Sequence, residues 1–105
     1  MHKMYVLSVR WAASPIDPQA IDAALGMNED WIRLNGQTWL VWSQASAGQI
    51  AETVRGRLQP DESVLAFGVD PSDADGWERT WVWSWIASKR DGASPALPRP
   101  LQRQL

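Results

Sequence analysis

A predicted hairpin over residues 30–42 constrains the fold of this chain more than any other feature, because it decides which side chains share a face. Two apolar runs, 31–34 and 37–42, flank Asn35 and Gly36. Both residue types tolerate the positive φ angles of a type I′ turn, so the runs predict two antiparallel strands joined by a two-residue loop. The chain is therefore expected to build a sheet around this hairpin.

The loop length sets the register of the hairpin. With this two-residue loop, Ile32 is expected opposite Trp39 and Trp31 opposite Leu40. One predicted face carries Ile32, Leu34, Trp39 and Val41. The other predicted face carries Trp31, Arg33, Leu40 and Trp42.

A helix is predicted directly after the hairpin. Ser46 and Gln49 have the spacing of a capping box, in which each side chain accepts a hydrogen bond from the backbone amide of the other residue. Ile50, Val54 and Leu58 recur at the helical period. The helix is expected to bury this apolar side against the sheet.

Three further elements complete the predicted order. Residues 4–11 alternate in polarity as a strand does, and Asp17 with Pro18 predicts the start of a short helix that ends near Gly26. Residues 64–69 are apolar on both faces, which predicts a covered, interior strand. The fold class is therefore α+β, a ferredoxin-like βαββαβ sheet with two helices on one face.

The segment 80–86 has two interpretations. As a helix, capped by Asp73 or Asp75, it would carry Trp77, Trp81 and Trp85 on one side, at positions i, i+4 and i+8. The strand interpretation is favoured by the β-branched and aromatic residues of the segment, which are enriched in strands. The helix is the preferred prediction, and an extra strand stays as the alternative.

Composition narrows the class of protein. The 105 residues include no cysteine and carry a formal net charge of −2. The lack of cysteine excludes disulfides and thiolate metal sites, and the charge disfavours a broad nucleic-acid-binding surface. The apolar run near the N-terminus is too short to span a bilayer, so a soluble protein is predicted. The lack of cysteine fits a reducing cytoplasm, which is the predicted location. Residues 1–90 are expected to form one domain, followed by a tail.

The tail, residues 91–105, contains three prolines and no apolar periodicity. This composition is typical of a solvated, extended segment. Alternatively, the tail is a docking arm that lies in a polyproline conformation on a partner or a second copy. The contacting residues would then be Leu97, Arg99 and Leu101.

The stretch 38–70, followed by a tryptophan-rich segment, resembles the SinR-like proteins, which are small ferredoxin-like relatives of the CRISPR-associated spacer-acquisition dimer subunit. The likeness covers residues 4–88 and rests on a Trp-Leu-Val strand, a Ser-Ala helix start, an Asp-Glu-Ser turn and an apolar strand. It implies a homodimer, often built through the final strand and the segment after it. It also implies a role near nucleic acid or in a phage-defence system.

Arg10 departs from the catalytic members of that family. Their first strand ends in an aspartate that holds a divalent metal, whereas this chain has a guanidinium, which cannot ligate a cation. No catalytic residue, metal site or cofactor is therefore predicted. A metal-dependent nuclease stays possible only if Asp70 or Asp73 supplies the carboxylate, and His2, near the terminus, is expected in solvent.

The leading hypothesis is a non-catalytic protein-interaction module. Eight tryptophans exceed what a small interior easily holds, and tryptophan is enriched at protein interfaces. A homodimer is expected, and a partner protein is expected to bind the tryptophan-bearing sheet face and the C-terminal segment. The predicted contacts are Trp31, Trp42 and Trp83, with Arg10 and Arg33 at the rim. Trp39 and Trp85 are assigned to the core.

The alternative is single-stranded nucleic-acid binding, in which bases stack on the same rings between Arg10 and Arg33. The acidic net charge makes this the less favoured of the two hypotheses.

Overall fold

The structure, a computed structural model, describes residues 1–12, 14–27 and 29–90. The elements in chain order are β1 (Lys3–Arg10), α1 (Pro18–Leu25), β2 (Asp30–Asn35), β3 (Thr38–Ser43), α2 (Ala47–Arg55), β4 (Ser63–Val69) and α3 (Thr80–Arg90). This order confirms the predicted α+β fold, βαββαβ with a C-terminal helix. The chain forms two compact units, of which the first is Met1–Val69 and the second begins at Asp70.

The first unit contains a four-stranded antiparallel sheet in the order β2-β3-β1-β4, the ferredoxin-like arrangement. Each βαβ crossover leaves a gap between its two parallel strands, and a strand of the other crossover fills that gap. Strands β1 and β3 are therefore central, whereas β2 and β4 are edges. The prediction that residues 64–69 form an interior strand was wrong, because apolar residues on both faces do not specify two neighbouring strands.

The core of the first unit lies between one face of the sheet and the helices α1 and α2. Alternate residues of β1 and β3 point into it, and each helix contributes the apolar residues of one side. Its most buried members include Tyr5, Leu7, Val9, Ile21, Leu25, Trp39, Val41, Ile50 and Val54. Trp39 has no exposed surface, as expected for a core residue.

Local capping accounts for both helices of the first unit. The Asp17 carboxylate accepts from the Ala20 amide at 3.3 Å, and Gly26 ends α1 with a φ of 63°. In α2 the capping box is complete: Ser46 Oγ accepts from the Gln49 amide at 3.1 Å, while the Gln49 side chain accepts from the Ser46 amide at 2.8 Å. These bonds confirm the predicted helix starts.

The hairpin has a different register from the predicted one. Its loop is Gly36 and Gln37, Asn35 pairs with Thr38, and the pairing is irregular between Arg33 and Asn35. Neither Asn35 nor Gly36 has a positive φ, so the type I′ turn was wrong. Instead, the Asn35 side-chain oxygen accepts from the Gln37 amide at 2.8 Å, which is an Asx turn. The two-residue loop therefore starts one residue later than predicted.

The shift moves two side chains to the core face. Trp31 pairs with Val41 and Arg33 pairs with Trp39, so all four residues share the face that α1 and α2 cover. The opposite face carries Ile32 with its partner Leu40. The predicted faces were therefore wrong, since a slip of one residue exchanges the two sides of a strand.

Asp22 of α1 connects the helix to the hairpin. Its Oδ1 accepts from Trp39 Nε1 at 2.8 Å, and its Oδ2 lies 3.4 Å from Arg33 Nε. The indole N–H of a fully buried tryptophan needs an acceptor, and Asp22 supplies it. One carboxylate thus satisfies a buried donor and pairs with a half-buried cation.

In the second unit, the tryptophan-rich segment is a helix, which confirms the preferred of the two predictions for residues 80–86. It begins at Thr80, so Trp77 precedes it and neither Asp73 nor Asp75 occupies the N-cap position. The buried residues Val82, Trp85 and Ile86 lie at the helical spacing of one side. Trp85 has no exposed surface, as expected. Among the described residues, no helix combines the length and the apolar composition that crossing a membrane requires.

Replacing Asp22 tests the connection between α1 and the hairpin. Asp22→Ala is expected to lower the free energy of unfolding by about 1–3 kcal/mol, because it leaves the buried Trp39 N–H without an acceptor. Asp22→Asn keeps a side-chain oxygen for that donor and should cost less. Urea denaturation followed by tryptophan fluorescence measures both losses.

Glu52→Ala is the matched control. The ion pair of Glu52 with Arg55 is 73% exposed on both sides, so its loss should change the free energy of unfolding by less than about 0.5 kcal/mol. Equal losses for Asp22→Ala and Glu52→Ala would contradict the role assigned to Asp22.

Candidate interaction surface

Strand β4 exposes a row of apolar side chains. Leu65, Phe67 and Val69 are 66%, 49% and 36% exposed. Their neighbours Val64 and Ala66 point to the other face and pack against the core beneath α2. The alternation of a strand therefore divides β4 into a core-facing row and a solvent-facing row.

The exposure is confined to one end of this sheet face. By the strand pairing, the same face carries Met4 of β1, Leu40 of β3 and Ile32 of β2, and these three residues are buried. Among the described strand residues of this face, only those of β4 have large apolar side chains that are more than a third exposed. We call Leu65, Phe67 and Val69 the β4 ridge.

The backbone of β4 also has a free edge, in that no strand of the described residues pairs with its outer side. Val9 donates to the Gln37 carbonyl at 2.9 Å, so the backbone groups of Val9 point towards β3. Because successive residues of a strand point their N–H and C=O groups to opposite sides, residues 4, 6, 8 and 10 bond to β4. Their partners are Val69, Phe67, Leu65 and Ser63. The outward backbone groups of β4 are therefore those of Val64, Ala66 and Gly68.

The two edge strands differ in how they are protected. Strand β2 carries the charged residues Asp30 and Arg33 and has an irregular register near its end. Charges and bulges of this kind prevent pairing with a further strand. Strand β4 has the sequence SVLAFGV, with no charge, no proline and a continuous register against β1. Of the two edges, β4 is the one open to another strand.

The structure separates the tryptophans predicted as contacts. Trp31 is only 8% exposed, and its Nε1 donates to the Gly26 carbonyl at 2.8 Å. Burial removes it from any contact surface. Trp42 is half-buried, and His2 stacks on it with ring centroids 5.8 Å apart. His2 is exposed as predicted, but the stacking was not foreseen, because nothing in the local sequence links the two rings.

The two predicted arginines lie on opposite faces of the sheet. Arg33 faces the core side, where Asp22 pairs with it. Arg10 is exposed at the end of β1 and donates to Ser63 Oγ at 3.1 Å. Met4 pairs with Trp42, so Arg10 lies six residues, about 20 Å, from the pair that contains Trp42. The cations and rings that base stacking would need are thus not brought together.

The second unit presents its own exposed features. Trp77 is fully exposed, and the half-buried Trp83 lines a cavity of about 300 Å³ with Pro71, Ala74, Thr80 and Ile86 among its neighbours. Arg79 lies 5.1 Å above the Trp81 ring, a cation–π contact. The predicted tail contacts Leu97, Arg99 and Leu101 lie outside the described residues.

The acidic residues after β4 form a turn. Asp70 Oδ1 accepts from Ser72 Oγ at 2.7 Å and from the Ser72 amide at 2.9 Å. The hydrogen bond from the Ser72 hydroxyl has the largest effect and that from the amide the next largest, and together they hold the pKa of the Asp70 carboxyl below its ordinary value. Among the described residues, no three His, Asp or Glu side chains are grouped closely enough to hold a metal ion.

Sequence reasoning missed the β4 ridge, although one signal was present. An edge strand with one solvated face usually alternates polar and apolar residues, and β4 does not. The same pattern fits an interior strand, and only the order of strands in the sheet separates the two.

Comparisons with protein-family models, with curated proteins and with solved structures found no match to this chain. The resemblance to SinR-like proteins therefore stays a prediction.

Ser72→Ala tests the turn after β4. Removing the hydroxyl is expected to raise the pKa of Asp70 towards its ordinary value, while the remaining Ser72 amide bond keeps part of the shift. Because the pKa is lowered in the folded chain, ionised Asp70 stabilises the fold above its unfolded pKa. That contribution is lost as the pH falls through the folded pKa.

A carboxyl-detected NMR titration measures the pKa of Asp70. Ser88→Ala is the control, because the Ser88 hydroxyl donates to the Trp85 carbonyl and should leave Asp70 unchanged. An unaltered pKa of Asp70 in Ser72→Ala would refute the assigned cause.

Proposed function

We propose that this chain is a non-catalytic protein-interaction module that binds another polypeptide along β4. One observation carries the proposal: the β4 ridge and the free backbone edge occur on the same strand. Each feature alone is common on protein surfaces, whereas an apolar and uncharged edge strand is the feature that natural proteins usually avoid unless it is paired.

The chemistry of such a strand favours an extended polypeptide as the ligand. An added strand would bond to the outward groups of Val64, Ala66 and Gly68, which supplies affinity without regard to sequence. Its side chains on one face would cover Leu65 and Phe67, and these contacts supply specificity. Full burial of a Leu or Phe side chain contributes about 1.5–3 kcal/mol, so partial burial of both is a substantial share of a binding energy.

The proposal moves the contact surface from where the sequence placed it. Trp31 and Arg33 are withdrawn from the predicted contacts, since both lie on the core side. Trp42, half-buried on the ridge face of the sheet, and Trp83 in the second unit remain candidates, and the fully exposed Trp77 of the second unit is added to them. A role in a phage-defence system rests on the family resemblance alone.

Two other functions have less support. Binding of single-stranded nucleic acid lacks the cluster of arginines and rings that stacking needs, and the net charge is −2. A metal-dependent nuclease would need carboxylates grouped around a cation, and Asp70 is committed to a turn with Ser72. The absence of a suited group of side chains among the described residues supports a binding function instead.

Site-specific photo-crosslinking tests the proposed function. A benzophenone amino acid replaces Leu65 in the full chain, which is produced in its own host cells and irradiated there. We expect a covalent adduct with a polypeptide, identified by mass spectrometry of the crosslinked peptides. The same probe at Arg57, an exposed residue beyond α2, is the control and should give no such adduct.

If irradiation at Leu65 gives no polypeptide adduct, or gives the same adducts as at Arg57, the proposed function is wrong. Where an adduct does form at Leu65, its identity shows whether the bound polypeptide is a second copy of this chain or a different protein.

A further inference from the structure

Resting on the proposed function, we propose that β4 binds an extended segment of a different protein that carries a carboxylate at one fixed position. The segment lies antiparallel to β4 and presents three apolar side chains, at alternate positions, to the β4 ridge. Two residues further on, an aspartate or glutamate faces Ser63 and pairs with Arg10. The ligand pattern is therefore three apolar residues at every second position, followed at the same spacing by an acidic residue.

The backbone of β4 fixes which residues of the segment face the ridge. In an antiparallel pair, opposed residues alternate between hydrogen-bonded pairs and closer pairs that share no hydrogen bond, with Cα atoms about 4.5 Å apart. The outward groups belong to Val64, Ala66 and Gly68, so the bonded pairs form at these three residues. The closer pairs then form at Ser63 and at the three residues of the β4 ridge. Side chains of the segment at those four positions lie on the ridge face.

Three of the four close pairs are apolar. The β4 ridge offers aliphatic and aromatic side chains, which are at least a third exposed. Aliphatic or aromatic partners opposite them would remove this surface from water, and cross-strand pairs of this kind are favourable. The residues between these partners bond to β4 through the backbone, so the type of their side chains contributes less to binding.

Arg10 sets the chemistry of the fourth pair. It is exposed on the ridge face, and its Nε donates to Ser63 Oγ at 3.1 Å, which directs the guanidinium across Ser63 towards the outer edge of β4. The described residues place no carboxylate in an ion pair with this guanidinium. Glu62, next to Ser63, accepts instead from the amides of Gln59 and Ala12.

A carboxylate of the segment can reach this guanidinium. The residue of the segment opposite Ser63 lies on the same face as Arg10, with about 10 Å between their Cα atoms. An arginine and a glutamate side chain together bridge that distance. Hydrogen bonds between a guanidinium and a carboxylate are charge-assisted and stronger than neutral ones. The edge therefore selects an acidic residue at this position of the ligand.

The same pattern distinguishes the ligand from β4 of a second copy. If that strand were added, the residue two positions after Val69 would be Pro71, which has no carboxylate. Asp70 comes one residue too early, so in a continued strand its side chain would point to the opposite face. Its carboxylate also accepts two hydrogen bonds from Ser72. A different protein can supply the carboxylate that β4 does not.

Synthetic peptides test the ligand pattern against the full chain. The test peptide is acetyl-Lys-Val-Thr-Leu-Thr-Val-Thr-Glu-Ser-Lys-amide, whose Val, Leu, Val and Glu would face Val69, Phe67, Leu65 and Ser63. The control peptide exchanges Glu with the Thr before it, which keeps the composition and moves the carboxylate to the other face. Isothermal titration calorimetry should show binding of the test peptide about two- to fivefold tighter than that of the control, the range of an exposed ion pair.

Replacing Arg10 tests the source of this preference. Arg10→Gln should bind the two peptides equally, because the guanidinium that distinguishes them is gone. Arg57→Gln is the matched control: it makes the same change at an exposed arginine beyond α2 and should keep the preference. Each result is a ratio of two affinities measured on one variant, so a change in the stability of that variant does not imitate it. A preference that survives in Arg10→Gln would overturn the role of Arg10.

N-methylated peptides test the register without altering the protein. Methylation of the central Thr removes the N–H that would bond to the Ala66 carbonyl, and it is expected to weaken binding by about tenfold. Methylation of the Leu, whose N–H would point away from β4, should change the affinity by less than about twofold. Equal losses for the two methylated peptides would overturn the antiparallel register.

The outcomes separate this inference from the proposed function. We expect the benzophenone at Leu65 to crosslink a different protein, at a segment with the proposed pattern. If the test peptide does not bind, or binds no better than the control, the pattern is wrong, yet an adduct at Leu65 leaves the interaction function standing. An adduct with β4 of a second copy would likewise overturn the pattern alone. If Leu65 gives no polypeptide adduct, the proposed function falls, and this inference falls with it.

Discussion

The interleaving of two βαβ crossovers decides which strands of this protein lie at the edges of the sheet. Each crossover leaves a gap for one strand between its two parallel strands, and a strand of the other crossover fills that gap. Strands β1 and β3 therefore become central, and β4 becomes an edge. The helices α1 and α2 cover the core face of the sheet. The apolar residues of β4 that point away from those helices therefore stay in solvent, and the strand keeps an unpaired edge among the described elements.

Three of the tryptophans have a structural use that accounts for part of the high tryptophan content. Trp11, Trp31 and Trp39 each donate their indole N–H to an acceptor on another element or loop, respectively the Gly36 carbonyl, the Gly26 carbonyl and Asp22. A large apolar body with one directed donor suits the joining of loops to a core. The rings thus fix the C-terminal half of α1 and the hairpin loop. The most exposed large apolar side chains of the sheet are instead Leu65 and Phe67.

Features that depend on nearby residues could be predicted, and those that depend on distant ones could not. The capping box of Ser46 and Gln49 and the start of α1 are local hydrogen bonds, so their spacing predicts them. The predicted register of the hairpin was wrong by one residue, because an Asx turn at Asn35 forms in place of the expected type I′ turn. The β4 ridge was not predicted for a different reason: whether residues 64–69 lie inside a sheet or at its edge depends on strand order, which leaves no trace in the segment itself.

The fold does not require apolar residues on the exposed side of β4. Val64 and Ala66 serve the core, whereas Leu65 and Phe67 lie on the exposed side and would leave the contacts with α1 and α2 intact if they were polar. Threonine or a charged residue at those positions would keep an extended strand and protect the edge, as Asp30 and Arg33 do on β2. Folding of the first unit alone therefore gives no reason for an apolar row at this edge, whereas pairing with another chain does.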